Sequence, residues 1–159
     1  MIGVKIITVG TLKEGYLRDA AAEYSKRLSG FCKLTEVNLK EEKLSDDPSD
    51  GEIKNALRKE GDAILAQMPR KAFKIALCVE GKQLSSEELA EKLDAVAQTH
   101  GEVCLVIGSS HGLDESVKSA CDTRLSVSKL TFPHQLMRII LLEAIYRGFN
   151  IIRGTHYHK

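Results

Sequence analysis

Short apolar runs alternate along the chain with longer segments in which apolar residues recur every three or four positions. The β-branched run Val4–Val9 predicts a strand, and the spacing of apolar residues from Leu17 to Leu28 predicts a helix that ends at Gly30. Cys32–Leu39 is a weaker extended segment, and the polar sequence KEEKLSDDPSDG after it predicts a surface loop that continues through Gly51.

The same alternation continues in the middle of the chain. Apolar positions from Ile53 to Met68 predict a second helix, and Phe73–Val79 predicts a third strand. Glu80–Lys82 is expected to form a turn. Ser85 and Glu88 have the spacing of a capping box, which predicts the start of a third helix.

The last third contains the longest apolar segments. Val103–Ile107 is a continuous apolar run, which is typical of a strand covered on both faces. Gly108–Gly112 then predicts a tight loop, Asp114–Ala120 a short helix and Arg124–Val127 a fifth strand. The final helix is expected to begin near Pro133, because proline suits the first turn of a helix.

Strand and helix therefore alternate five times, which predicts an α/β fold with a mostly parallel sheet and helices on both faces. At 159 residues, the chain fits a single domain spanning 1–159. Ligands of such sheets bind beyond the carboxyl ends of the strands. The loops at 80–82, 108–112 and 127–132 are thus predicted to form a site for a phosphate, nucleoside or nucleotide-like ligand.

Composition narrows the class of protein. Hydrophobic residues at 43% and charged residues at 28% are typical of a globular domain. The start MIGVKIITVG lacks the features of a signal peptide and no apolar run could cross a bilayer, so we expect a cytoplasmic protein without membrane contact. The four cysteines are far apart and predict reduced thiols, buried at Cys78 and Cys104, rather than a metal site.

Positive charge is concentrated at the C-terminal end. From Arg124 onward six Lys or Arg face one acid, a formal charge of +5, whereas the preceding 123 residues have 17 basic and 21 acidic side chains. Three of the five histidines also lie here. Such asymmetry favours contact with an anionic partner, although an ordinary solvated face would also account for it.

One motif points to a different chemistry. Gly108–Gly112 matches the G-x-S-x-G nucleophile elbow, with Ser110 as the nucleophile, and it lies between a predicted strand and a predicted helix as that motif requires. Against a hydrolase, the chain is short and lacks an upstream HGGG segment. A structural glycine turn is therefore the preferred interpretation. In the hydrolase hypothesis, the acid and the base that would activate Ser110 are Asp114 or Asp122 with His134, His156 or His158.

The final helix is apolar on more than one face between Leu136 and Ile145. A helix of this kind must be covered on several sides, which a second copy of the chain would achieve. The pattern therefore predicts a homodimer. Arg147, next to Tyr146 in this helix, is expected to be a partly buried and positioned guanidinium.

The segments KIITVGTLKEGY, VIGSSHGL and LTFPHQLMRIILLEAIYRGFNIIRG, together with the terminal YHK, closely resemble the RlmH family of ribosomal RNA methyltransferases over nearly the whole chain. This family belongs to the SPOUT class. The resemblance implies S-adenosylmethionine-dependent methylation of N3 of a pseudouridine in helix 69 of 23S ribosomal RNA, within the assembled ribosome. It also implies a homodimer and a C-terminal trefoil knot, a topology that chain patterns alone would exclude.

The resemblance also assigns residues. It implies cofactor binding by Leu77, Gly108, Val127, Ser128, Lys129, Leu130, Thr131 and Phe132. It places Arg147, Tyr157 and His158 in catalysis, and His134, Arg153 and Lys159 against the substrate. His158 is the expected base for the N3 proton, because histidine has the side chain whose ordinary pKa is closest to working pH. The sequence departs from the family at Ser109, where a second glycine is common, and at His156.

A third hypothesis stays open beside the methyltransferase and the hydrolase. A chain with the same charged end could bind ribosomes or RNA without catalysing a reaction. Binding of S-adenosylmethionine without methyl transfer to ribosomes would favour that hypothesis.

Overall fold

A computed structural model describes the whole chain, from Met1 to Lys159, and contains five strands and five helices in strict alternation. This alternation is the one that the apolar pattern predicts. The elements in chain order are β1 (Gly3–Val9), α1 (Gly15–Leu28), β2 (Lys33–Leu39), α2 (Asp50–Gln67), β3 (Phe73–Lys82), α3 (Ser86–Thr99), β4 (Glu102–Ile107), α4 (Glu115–Ala120), β5 (Thr123–Leu125) and α5 (His134–Arg153).

The five strands form one sheet in the order β2-β1-β4-β3-β5, and each neighbouring pair is parallel. The predicted parallel sheet is therefore confirmed. β4 lies at its centre, and every residue of this strand from Val103 to Ile107 is buried. Both faces of β4 are covered, which explains its continuous apolar run. The neighbouring strands β4, β3 and β5 all end at the same edge of the sheet.

The helices cover both faces of the sheet, as predicted. On one face α5 packs between α1 and α3, and on the other α2 packs against α4. Each face of the sheet therefore has its own hydrophobic core. Successive side chains of a strand point to opposite faces, so Ile6 lies in the core beneath α1, α3 and α5 and its neighbour Ile7 lies in the core beneath α2 and α4. The trefoil knot stays a prediction, because strand order and register describe pairing and not the threading of a loop.

The third helix begins where the capping box predicts. Ser85 Oγ accepts a hydrogen bond from the Glu88 backbone N–H (3.0 Å), and Glu88 Oε2 accepts one from the Ser85 N–H (2.7 Å). The last helix ends at Gly154, whose φ of +68° suits the left-handed residue that commonly terminates a helix. None of the helices combines the length and apolarity needed to span a membrane.

The third strand is longer than predicted. Glu80–Lys82 was expected to be a turn, yet it belongs to β3, because the strand passes a register shift and Lys82 pairs with Leu125. The two backbones are so close that a Cβ on Gly81 would lie 2.6 Å from the carbonyl carbon of Leu125. Glycine here is a packing requirement rather than a turn signal. β5 is correspondingly short and ends at Leu125 instead of Val127.

The polar loop is shorter than predicted. Gly51 belongs to α2, because Ser49 Oγ accepts a hydrogen bond from the Glu52 backbone N–H (3.2 Å) and starts the helix at Asp50. The loop therefore covers residues 40–49.

Arg138 connects the last helix to the edge of the sheet. It is 8% exposed, and its guanidinium donates to Glu36 Oε1 (3.0 Å) and Asn38 Oδ1 (2.7 Å), which ties α5 to β2. All four cysteines are free thiols, but Cys78 is only partly buried. No three His, Cys, Asp or Glu side chains lie close enough together to hold a metal ion.

Candidate active site

The chain segments at the ends of β3, β4 and β5 surround a cavity of about 350 Å³. Its wall is completed by the start of α5, which contributes His134 and Met137. The volume lies within the range of roughly 300–1,000 Å³ that is usual for small-molecule sites. The cavity thus lies at the sheet edge where the sequence predicts a ligand.

Most of the residues predicted for the cofactor meet at this cavity. Lys129 is the exception, because it is exposed and not part of the wall. His134, which was predicted to contact the substrate, also lines the cavity. The predicted cofactor residues that line it are Leu77, Gly108, Val127, Ser128, Leu130, Thr131 and Phe132.

The turn after β4 is built on close backbone contact. A Cβ placed on Gly108 would lie 2.2 Å from the carbonyl oxygen of Gly112, so only glycine fits without opening the turn. Gly112 has a φ of +92° and its N–H donates to the carbonyl oxygen of Ser109 (2.9 Å). This part of the wall is therefore a fixed backbone surface that a ligand could approach closely.

The segment after β5 is held by its own serines. Ser126 Oγ donates to the carbonyl oxygen of Ser128 (3.0 Å), and Ser128 Oγ accepts from the Leu130 N–H (3.0 Å). Leu130 itself is 71% exposed at the mouth of the cavity. Hydrogen bonds thus fix the backbone of this segment, and its exposed leucine is suited to pack against a planar ring of a ligand.

Charge on the cavity wall is balanced. The Lys118 ammonium donates to the Glu80 carboxylate, and this hydrogen bond lowers the pKa of Glu80. Cys78 also lines the wall, and burial raises the pKa of its thiol. Because the thiolate is the nucleophilic form, Cys78 is not an activated nucleophile.

A second cluster joins the end of α5 to the C-terminal tail, residues 155–159. Arg147 Nη2 (2.6 Å) and Tyr157 Oη (3.1 Å) both donate to Glu143 Oε1. His158 Nδ1 lies 3.2 Å from Arg147 Nη1, and His158 Nε2 lies 2.8 Å from Glu87 Oε1. The three residues predicted for catalysis thus form one network with two carboxylates.

The hydrogen bonds of this network show which of its groups donate and which accept. A guanidinium only donates, so His158 Nδ1 is the acceptor toward Arg147 and Nε2 carries the proton donated to Glu87. Burial and the hydrogen bond to Glu143 raise the pKa of Tyr157 to about 12, and the hydrogen bond from Arg147 to Glu143 raises the pKa of Arg147. Tyr157 and Arg147 therefore act as donors, which leaves His158 as the one of the three predicted catalytic residues that is able to accept a proton.

Within one chain the tail cluster and the cavity are far apart. His134 and Arg147 lie thirteen residues apart on α5, which corresponds to about 20 Å at 1.5 Å per residue. Arg153 belongs neither to the tail cluster nor to the cavity wall, since its Nη2 donates to the carbonyl oxygen of Gly30 (2.6 Å). Lys159 is exposed at the chain end. The residues predicted for the substrate are thus not brought together in a single chain.

Pairing reduces the free positive charge at the C-terminal end. Three of its six basic side chains form ion pairs with carboxylates. One of these carboxylates lies on α5 with its partner, and the other two lie before Arg124 in the chain. These pairs are Arg124 with Glu115, Arg138 with Glu36 and Arg147 with Glu143. The formal charge counted along the sequence is therefore larger than the positive charge that this end leaves free to bind an anion.

The geometry does not support Ser110 as a nucleophile. Its hydroxyl donates to Glu41 Oε1 (3.4 Å) and makes no hydrogen bond to a histidine. No residue other than glycine has a positive φ, so the turn also lacks the strained serine of a nucleophile elbow. The turn is the structural one that the sequence favours.

Sequence reasoning missed three carboxylates near these sites. Glu143 could have been found, because it lies four residues before Arg147 on a helix and is the one acid after Arg124. Glu87 and Glu60 give no local signal, since their partners lie far away along the chain.

Comparison with known proteins defines the class. A family model described as "Predicted SPOUT methyltransferase" matches residues 2–158, and the chain therefore belongs to the SPOUT methyltransferase family. The α/β sheet with its cavity at the strand ends is the fold that accompanies this membership.

Individual relatives are similar over nearly the full length. A protein of Bifidobacterium adolescentis is 51% identical over 98% of this chain and 99% of the relative. One of Listeria monocytogenes is 49% identical over 99% and 100%, and one of Bacillus pumilus is 46% identical over the same shares. All three bear the name ribosomal RNA large subunit methyltransferase H.

Proposed function

We propose that this protein methylates N3 of a pseudouridine in helix 69 of 23S ribosomal RNA, using S-adenosylmethionine as the methyl donor. The proposal rests on one observation above all, a cavity at the ends of three neighbouring parallel strands in a chain of the SPOUT methyltransferase family. The printed names of the relatives support ribosomal RNA as the substrate. The enzyme acts in the cytoplasm, where assembled ribosomes are found.

The cavity fits the donor in size and chemistry. Its volume of about 350 Å³ suits a nucleoside bearing an amino-acid side arm. Leu77, Val127 and Leu130 offer apolar contact to a ring, and the fixed turn at Gly108 allows a ligand to approach backbone groups. S-adenosylmethionine supplies, when bound, a methyl group already activated on a sulfonium sulfur. The protein must therefore chiefly align the reactants and exclude water.

The tail residues would prepare the RNA base. N3 of a pseudouridine carries a proton, which must leave before the nitrogen can attack. His158 accepts that proton at Nδ1, the nitrogen that faces Arg147 in the free chain. Arg147 then donates to the negative oxygen that develops on the ring, and Tyr157 packs against or hydrogen-bonds the base.

Such a mechanism requires two chains. The tail cluster lies about 20 Å along α5 from the cavity of its own chain, so the tail that reaches a cavity belongs to a second copy. The outward face of α5 includes Leu136, 38% exposed, and Ile152, 40% exposed, which a partner subunit would cover. We infer a homodimer whose two sites each combine the cavity of one subunit with the tail of the other.

The assembled ribosome is the expected partner. The tail end of each chain has few unpaired cations, chiefly Lys129, Arg153 and Lys159, so electrostatic affinity for a naked stem-loop is weak. Specificity then depends on the shape in which the ribosome presents helix 69. His134, Arg153 and Lys159 contact the RNA in this proposal.

Methyl mapping tests the function directly. Ribosomes that lack the modification are incubated with the protein and S-adenosylmethionine labelled in its methyl group, and the labelled nucleotide is then identified. We expect label at N3 of the helix 69 pseudouridine, and little label on a protein-free helix 69 stem-loop. The variant Thr131→Trp serves as the control, because it fills the cavity from an exposed position. Label on another nucleotide, or none with any ribosomal particle, would contradict the proposal.

A further inference from the structure

One buried carboxylate near the cavity has no place in the proposed mechanism. Glu60 of α2 is 5% exposed and is the only buried acid of the chain. It lies on the core-facing side of the helix beside Ala56 and Ile64, where apolar side chains are favoured. No Lys, Arg or His forms an ion pair with it. A buried carboxylate without a cation is costly, so its compensation must come from hydrogen bonds.

Both oxygens of Glu60 are used, and each holds a different loop. Glu60 Oε1 accepts from Ser109 Oγ (2.8 Å), and Glu60 Oε2 accepts from the Glu42 backbone N–H (3.0 Å). Ser109 is 6% exposed, so the first bond is shielded from water. The carboxylate therefore connects the turn after β4 with the loop at residues 40–49.

The turn that Glu60 holds forms part of the cavity wall. Ser109 lines the cavity together with Gly108, and its backbone pairs with Gly112 to close the turn. The loop on the other side of Glu60 reaches the same turn again, because Ser110 Oγ donates to Glu41. A shift of Ser109 would thus move the backbone surface that faces the ligand.

We propose that Glu60 is a positioning residue of the methyl-donor site, which fixes the turn at Gly108–Gly112 through the hydroxyl of Ser109. This inference rests on the proposed function of the cavity. Glu60 touches neither the donor nor the RNA and acts through the serine. Its role is to place backbone groups of the turn where the donor binds, and loss of that placement weakens donor binding before it affects methyl transfer.

Two variants and one matched control test this role. Glu60→Gln keeps the volume but offers one acceptor oxygen instead of two, and Ser109→Ala removes the hydroxyl while keeping the Cβ. Asp62→Asn makes the same charge change two residues away on the exposed face of α2. Isothermal titration calorimetry measures S-adenosylmethionine binding, thermal unfolding followed by circular dichroism reports the folded state, and ribosome methylation at saturating donor gives kcat.

We expect the dissociation constant for the donor to rise about tenfold in each of the first two variants, with kcat within about twofold of wild type. The double variant should bind about as Glu60→Gln does, because the Ser109 hydroxyl acts on the turn through the side chain at position 60. Asp62→Asn should bind like wild type.

Several outcomes would overturn the role of Glu60. These are wild-type affinity in Glu60→Gln, or a weakened Glu60→Gln beside an unaffected Ser109→Ala. If Glu60→Gln does not fold, Ser109→Ala alone decides, since it keeps the carboxylate bonded to Glu42. A wild-type protein that binds no S-adenosylmethionine would refute the proposed function and the role of Glu60 together, whereas donor binding that is the same in wild type and in both variants would refute the role of Glu60 alone.

Discussion

The two ends of α5 are built in different ways. Near His134 the cavity wall consists largely of backbone, small residues and apolar side chains, and its geometry follows from close contacts such as Gly108 against Gly112. At the other end Arg147 and His158 are held by hydrogen bonds to carboxylates. The cavity end is suited to bind a ligand by its shape, whereas the function of the tail end depends on particular donor and acceptor atoms. Substitutions should therefore affect donor affinity at one end and the chemical step at the other.

Removal of the proposed base should have the largest effect. We expect His158→Ala to lower turnover by about 10²–10⁴-fold, the range of general base catalysis, because Arg147 and Tyr157 act as donors and cannot replace His158 as the base. The dissociation constant for S-adenosylmethionine should not change. Single-turnover methylation of ribosomes and calorimetry measure the two quantities. His156→Ala, an exposed neighbour without side-chain hydrogen bonds, is the control. Wild-type turnover in His158→Ala would remove this residue from the mechanism.

Mixed dimers show whether the two ends belong to one chain or two. Thr131→Trp blocks the cavity and leaves the tail intact, whereas His158→Ala does the reverse. Coexpressed in equal amounts, the two inactive variants should recover about a quarter of wild-type activity, because half of the dimers are mixed and each of these has one intact composite site. No recovery in verified mixed dimers would show that cavity and tail act within the same subunit.

The backbone of the cavity is tested by the smallest possible side chain. Gly108→Ala places a methyl group 2.2 Å from the Gly112 carbonyl oxygen, so the turn must open. We expect donor affinity to fall about tenfold and the free energy of unfolding to fall by about 1–3 kcal/mol, the usual cost of overpacking.

Gly30→Ala is the control for that variant, since its nearest neighbouring atom would lie 4.0 Å away. Calorimetry and urea unfolding measure both effects. Unchanged donor affinity in Gly108→Ala would mean that the turn does not contact the donor.

The same contrast explains what the sequence could predict. Local patterns identified the elements well, because the apolar run of β4 and the capping box of Ser85 act through neighbouring residues. The end of β3 was predicted wrongly. Gly81 is typical of a turn locally, and its contact with Leu125 depends on a strand more than forty residues away.

The sites follow the same rule. Residues of the strand-end loops could be predicted to meet, because parallel strands end at one edge of the sheet. The bonds that hold the tail could be predicted only where both partners lie on one helix, as Glu143 and Arg147 do. The contact between Glu87 and His158 joins residues 71 positions apart and leaves no periodic trace.

The smallest effect is expected from a single hydroxyl of the tail network. In Tyr157→Phe the Glu143 carboxylate keeps its bond to Arg147, so turnover should fall only severalfold. The free energy of unfolding should fall by about 0.5–1.5 kcal/mol, the net contribution of one hydrogen bond. Tyr24→Phe is the control, because Tyr24 belongs to the same aromatic cluster but its hydroxyl makes no hydrogen bond.

The pH dependence of that difference identifies the bond. The pKa of Tyr157 is raised to about 12 in the folded protein, above the ordinary tyrosine value of about 10. A raised pKa means that the phenol stabilises the fold fully below pH about 10, and that this contribution is lost as the pH rises toward 12. Urea unfolding of wild type and Tyr157→Phe should therefore differ by a constant amount from pH 7 to pH 9 and converge at higher pH. A difference that persists unchanged to about pH 12 would show that the Tyr157 hydroxyl is not the donor to Glu143.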